Sequence, residues 1–201
     1  LAAMSSNQEE GKVSPTTIRF TTDNWDQPQT LTVQGVDDDV RDGNINYTIF
    51  FSPSESNDED YQGIQPKSIK VTNIDNDVAG LNVNIPAEEY EVVEGQANVI
   101  VVKLNTKPKQ AVKVKASVDD ATEASLDIKE IEIAPEEWST GKEIRISGLR
   151  DYVIDGDQPI KISFEVVSED EDYHFTDPIV YGGTVKDIDT AELVPSLGVS
   201  P

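Results

Sequence analysis

The chain of 201 residues contains no cysteine, so it forms neither disulfides nor thiolate metal sites, although this does not fix a compartment. A single histidine, His174, speaks against a zinc or haem centre. As a lone base with no serine in a nucleophile motif, it supports no catalytic triad. No run of about 18 apolar residues occurs, so no segment reads as a membrane-spanning helix. Basic residues are scarce, 16 against 39 acidic ones, and the net charge is −23. A surface of that sign repels phosphate backbones and anionic lipids, so neither nucleic-acid binding nor membrane insertion is expected. Aromatic residues make up only 6% of the chain, which argues mildly against an exposed sugar-stacking row. The opening Leu1-Ala2-Ala3-Met4 has neither a basic region nor an apolar core, so it is not a signal peptide and reads as a cut through a longer protein.

What is present is a long repeat. Asn24-Trp25, Gly35 and Asp42-Gly43 recur as Glu137-Trp138, Gly148 and Asp155-Gly156, each 113 positions later. That period is the length of a domain, not of a solenoid unit of about 20–50 residues. Residues 1–78 read as the C-terminal part of one repeat, residues 79–190 as a complete one, and residues 191–201 as a tail that starts a further repeat. Val78-Ala79-Gly80 is a short joint that limits the angles between successive domains.

Apolar residues alternate with polar ones, and no segment carries a helical apolar stripe. Thr16–Phe20, Thr30–Val33, Asn46–Phe51 and Ser68–Thr72 read as strands in the first copy. Val99–Leu104, Val112–Ala116, Ile131–Ile133, Glu143–Ile146 and Ile160–Val166 do so in the second. The expected fold is all-β: tandem Ig-like antiparallel sandwiches, the first lacking its N-terminal strands. Trp25 and Trp138, in matching places, are expected to pack in cores, as are Tyr61 and Tyr173. His174 is expected on a loop or surface.

The acids cluster at strand ends. Asp37, Asp38 and Asp42 follow one strand, and Asp75 and Asp77 follow the last strand of the first copy. Antiparallel strands can bring those ends to one pole, where five carboxylates without a counter-ion would repel strongly. Ca²⁺ suits such a site, because it takes six to eight oxygens in loose geometry, whereas Mg²⁺ demands a stricter octahedron.

Val36-Asp37-Asp38-Asp39 with Asp42, then Tyr47-Thr48-Ile49, then Val71-Thr72-Asn73-Ile74-Asp75-Asn76-Asp77-Val78-Ala79-Gly80 together resemble the Calx-beta family of calcium-binding sandwiches. By that resemblance Asp37, Asp38, Asp42, Asp75 and Asp77 match calcium ligands, with Asn76 at a position often acidic. The family also uses a Glu in a Glu-Gly turn and an Asp in a later loop. Both fall outside the first copy or at its ragged start, so its site is expected to be incomplete. In the second copy Glu94-Gly95 fits the turn and Asp119 or Asp120 the loop, and Asp151, Asp155 and Asp189 also match. Arg150 stands where the first copy has Asp37, and Thr190 and Ala191 are aligned with Asn76 and Asp77. The second site is therefore expected to bind weakly, or to be held by Arg150 without metal.

The resemblance implies a non-catalytic calcium-binding structural or adhesion module of a large extracellular or cell-surface repeat protein, of bacterial type, with ions at the inter-domain pole stiffening the array. The partners it implies are calcium ions, neighbouring repeats, and another protein or a polysaccharide at a cell surface. The alternatives are an accessory module of a secreted enzyme, binding carbohydrate or acting as a spacer, and a calcium sensor.

Overall fold

A computed structural model of the chain describes residues 1–85 and 90–191; the expected start of a further repeat at 191–201 lies almost entirely outside them. The described residues form strands and one short 3₁₀ turn, and the chain divides into two units, Leu1–Asp77 and Val78–Pro201.

The second unit is a two-sheet sandwich. One sheet has the order β10-β12-β8-β6, made of Ala124–Leu126 (β10), Lys142–Gly148 (β12), Ala97–Leu104 (β8) and Leu81–Val83 (β6), all antiparallel. The other has the order β11-β9-β13-β14-β7: Glu130–Ile133 (β11), Val112–Val118 (β9), Gln158–Ser168 (β13), Ile179–Lys186 (β14) and Glu91–Val93 (β7). Only β7 runs parallel to its neighbour. Alternation decides which face goes inward, since successive strand residues point to opposite sides. On β13 the inward set is Ile160, Ile162, Phe164 and Val166, and on β9 it is Val112, Val114 and Ala116. Ile100, Val102 and Leu104 of β8 and Ile144 and Ile146 of β12 complete one continuous core. Each such side chain contributes about 1.5–3 kcal/mol by leaving water. The lysines and glutamates between them stay outside, so one register slip would invert the core.

The first unit has five strands: Ala3–Ser5 (β1), Gly11–Ser14 (β2), Thr32–Gly35 (β3), Ile45–Phe51 (β4) and Ile69–Asn73 (β5). They form the sheets β1-β4-β5 and β2-β3. The register reproduces that of the second unit. Ala3 faces Phe51 as Ala116 faces Phe164, and Gly11 faces Gly35 as Ala124 faces Gly148. Strands β1 to β5 thus correspond to β9, β10, β12, β13 and β14; β6, β7 and β8 have no counterparts in the first unit, and β11 is reduced there to the single bridge Ala2–Thr17.

Three expectations fail for that reason. Thr16–Phe20 is not a full strand: only Thr17 bridges Ala2, in the register of β11 on β9, because the first unit has only the short β1 to pair with. Trp25 is 70% exposed in a run of turns, whereas Trp138 packs half-buried on the core and its carbonyl accepts from Leu104 N–H of β8 at 3.0 Å. Tyr61 is 60% exposed, while Tyr173 is fully buried with its hydroxyl on Thr106, just beyond β8. His174 is exposed, as expected.

Candidate metal centre

In the first unit the acidic pole is built from the β3–β4 loop and the segment after β5. Asp42-Gly43 lies between strands of different sheets, not in a hairpin, and Gly43 takes φ 82°, a left-handed value glycine adopts without strain. That turn aims Gly43 N–H at Asp75 Oδ2, 2.6 Å away, and Asp75 Oδ1 accepts from Asp77 N–H at 2.8 Å. Asp38 closes its own turn by accepting from Val40 N–H at 2.7 Å. Glu10 enters from just before β2, pinned by Val36 N–H on its carbonyl at 3.0 Å. Asn73 donates to Glu10 Oε2 at 3.1 Å and to Val36 O at 2.7 Å.

All five expected first-unit residues, Asp37, Asp38, Asp42, Asp75 and Asp77, line one cavity of about 20 Å³ together with Glu10. Glu10, Asp38 and Asp42 each place a carboxylate oxygen within 4.8 Å of the others. The crowding is electrostatically unfavourable. Burial, then Glu10, Asp38 and Asp75, push the Asp42 carboxyl above its ordinary value. Burial and the charges of Asp75, Asp38, Asp37 and Asp39 do the same to Asp77. Asp75 is held below its ordinary value by the N–H groups of Asp77 and Gly43.

The second unit repeats the trio as Glu123, Asp151 and Asp155, each 113 positions on. Its supports repeat too. Leu149 N–H pins the Glu123 carbonyl at 2.8 Å, and Asp151 accepts from Val153 N–H at 2.8 Å. Gly156, at φ 79°, donates to Asp187 Oδ2 at 2.9 Å. Burial, then Asp155, Asp120 and Asp151, raise the Glu123 carboxyl.

A second acidic group in this unit joins Glu94, Asp187 and Asp189. Glu94 reaches it because Gly148 lets β7 approach: a Cβ at Gly148 would lie 2.7 Å from Val93 O. Burial raises the Glu94 carboxyl, the Ile188 N–H lowers it, and Asp189, Asp187 and Asp151 raise it further.

The structure revises the expected alignment by two residues at the end of β14. Asp187 takes the N–H of Gly156 as Asp75 takes that of Gly43, and Asp189 N–H donates to Asp187 Oδ1 at 2.7 Å as Asp77 N–H does to Asp75. Asp189 therefore corresponds to Asp77, and Thr190 and Ala191 replace neither Asn76 nor Asp77. Asp119 and Asp120 join neither group. Asp119 accepts from Lys161 N–H at 2.7 Å, and Asp120 accepts from the Thr122 hydroxyl and from Thr122 N–H at 2.9 Å, which lower its carboxyl in that order. Glu123 supplies the carboxylate from that loop instead. Glu10, Glu123 and Asp187 were not among the expected residues. The 113-residue spacing of Glu10 and Glu123 was the one sequence signal for the pair.

The converging donors are all carboxylate oxygens, which suits a hard divalent cation and excludes soft-metal chemistry at these residues.

No family profile matches the chain, and no curated protein matches it. Several solved structures are similar at low identity. The apo-form Calx CBD1 domain is 14% identical, with 54% of this chain and 98% of that one covered and a TM-score of 0.40. Domains 4 and 5 of the S-layer protein SbsC are 15% identical, covering 71% of this chain and 65% of that one at a TM-score of 0.38. A chain of the CsuC–CsuE chaperone–tip adhesion subunit complex of Acinetobacter baumannii is 11% identical, covering 54% and 52% at a TM-score of 0.38. Likeness of this size carries no argument about function.

Proposed function

We propose that the chain is a non-catalytic, calcium-binding structural module of Calx-beta type from an extracellular repeat protein. The observation that carries the reading is the recurrence of Glu10, Asp38 and Asp42 as Glu123, Asp151 and Asp155, each trio with oxygens within 4.8 Å. In both units the Glu of the trio is turned to the pole by a backbone pin, Val36 N–H on Glu10 and Leu149 N–H on Glu123.

Bound calcium would neutralise carboxylates that otherwise repel. In the first unit it would order Asp75–Asp77, the residues that lead into the next repeat, and so stiffen a tandem array. Extracellular modules bind calcium with Kd of about 10⁻⁴–10⁻³ M. At ten times Kd an ion adds about 1.4 kcal/mol per site, enough to bias local order without creating the fold.

The test is calcium titration by calorimetry on chelator-stripped protein, with thermal melts in parallel. Saturable heat and a raised Tm are expected, both reduced by Asp38→Asn with Asp42→Asn. No heat and no shift up to about 10 mM calcium, above the range for such modules, refutes the reading.

A further inference from the structure

Arg150 stands where the first unit has Asp37, and its guanidinium is spent on one oxygen. Nη2 lies 2.7 Å and Nε 3.1 Å from Asp189 Oδ1. A guanidinium fork normally spans both oxygens of a carboxylate. Here Asp189 Oδ2 is left buried without a hydrogen-bond partner among the described residues, and so is Glu94 Oε2. Glu94 is 2% exposed and the Asp189 side chain 7%. These two orphaned acceptors belong to the same convergent group, with Asp187 as its third member. Arg150 thus supplies charge to the group but leaves oxygens that a small cation would satisfy. Its outward side is prepared as well. The guanidinium carbon sits 4.9 Å from the ring centroid of Tyr152, which is 76% exposed and held at φ 64°. The guanidinium makes this ring contact while it holds Asp189, so releasing Asp189 does not require giving it up.

We propose that Arg150 is a tethered counter-ion that competes with calcium for Asp189, so that the second unit keeps its shape without metal and takes calcium at Glu94, Asp187 and Asp189 only as Arg150 releases Asp189. This rests on the calcium reading above and adds a regulator to it. The two units then differ in kind. Calcium is opposed at one by a built-in cation, and at the other Asp37 adds a carboxylate. Whatever weakens the hold of Arg150 on Asp189 therefore strengthens calcium binding, and bound calcium in turn weakens that hold.

The experiment uses the full chain with Asp38→Asn and Asp42→Asn, which silence the first unit, and titrates it with calcium by calorimetry. Arg150→Gln is expected to raise affinity at the second unit about tenfold or more, within the usual range of such couplings. Arg150→Lys, which keeps the charge, is expected to stay near the parent. In chelator Arg150→Gln should melt below the parent, and calcium should restore it. If Arg150→Gln does not fold in chelator, refolding on addition of calcium supports the proposal, and failure to refold at any calcium level counts against it. A folded Arg150→Gln that binds no tighter than the parent overturns it. If that happens while the unmutated chain binds calcium through Asp38 and Asp42, the calcium reading stands and only the role of Arg150 falls. Absence of calcium heat from the unmutated chain removes both.

Discussion

Replacing Tyr173 by Phe removes one oxygen from the interior of the second unit. That oxygen donates to Thr106 O at 2.6 Å, lies 2.8 Å from Thr106 Oγ1, and accepts from Thr106 N–H at 3.2 Å. Tyr173 is fully buried and Thr106 is 2% exposed, so water does not readily substitute. The hydroxyl of Thr106 can rotate to a new partner, but its backbone N–H and carbonyl cannot. Two stranded backbone groups at about 1–3 kcal/mol each give an expected loss of about 3 kcal/mol. For a domain of this size that is a fall in Tm of roughly 10–20 °C. The assay is urea and thermal unfolding followed by Trp138 fluorescence in a Trp25→Phe background, so that the signal belongs to the second unit alone. Tyr61→Phe, followed by Trp25 fluorescence in a Trp138→Phe background, is the control: the repeat places a tyrosine there, but it is 60% exposed, and a change within about 0.5 kcal/mol is expected. If Tyr173→Phe also costs under about 0.5 kcal/mol, the hydroxyl does not tie the 3₁₀ turn to the end of β8 as argued, and the contrast between the tyrosines is without consequence.

Two further predictions concern the poles. The carboxyls of Asp42 and Asp77, and of Glu94 and Glu123, are raised in the fold by burial and like charge, from ordinary values of 3.8 and 4.5. Their contribution is therefore fully present below those values and is lost as pH rises through the folded ones. The lowered groups Asp75, Asp120, Asp157 and Glu137 act the other way, losing stability as pH falls below 3.8 for the aspartates and 4.5 for the glutamate. Melts in chelator should thus show falling Tm as pH rises from about 4.5 to 7, and calcium should restore Tm at pH 7 but not at pH 4, where protons compete for the ligands; a metal-free Tm that climbs through that window speaks against the repulsion. Gly148→Ala drives a methyl group against the Val93 carbonyl and should cost about 1–3 kcal/mol in urea unfolding. It should also move Glu94 and weaken calcium binding at the second unit; unchanged binding would show that Glu94 is dispensable.

The strands of the second unit were legible because inward residues are apolar and outward neighbours mostly polar, as in Ile160 to Val166; β8, with Val99 and Val101 outward, reads instead as a continuous apolar run. The same reading misplaced Trp25, Tyr61 and Thr16–Phe20. A repeat carries a residue forward, but it does not carry the strands that residue packs on: β8 and the loop to Thr106 have no counterpart in the first unit, and β11 shrinks there to one bridge. At the acidic poles, Asp38, Asp42, Asp151 and Asp155 were legible from the repeat. Glu10 and Glu123 sit in loops without a motif, and only their backbone pins to Val36 and Leu149 turn them to the pole. Asp187 was hidden by a spacing one residue shorter between β13 and β14 than the rest of the repeat: Tyr47 faces Val71, while Ile160 faces Gly183.

Each trio also ties together chain segments about thirty residues apart, Glu10 with Asp42 and Glu123 with Asp155. Drawing together the ends of a loop that long costs an unfolded chain about 3 kcal/mol in entropy. In the native state the strands have already met that cost, so an ion finds its oxygens assembled; in the unfolded chain the same acids are scattered and bind poorly. Calcium would then act on this cysteine-free protein as a reversible cross-link that recognises only the finished fold, and its concentration would set how long a finished domain stays closed.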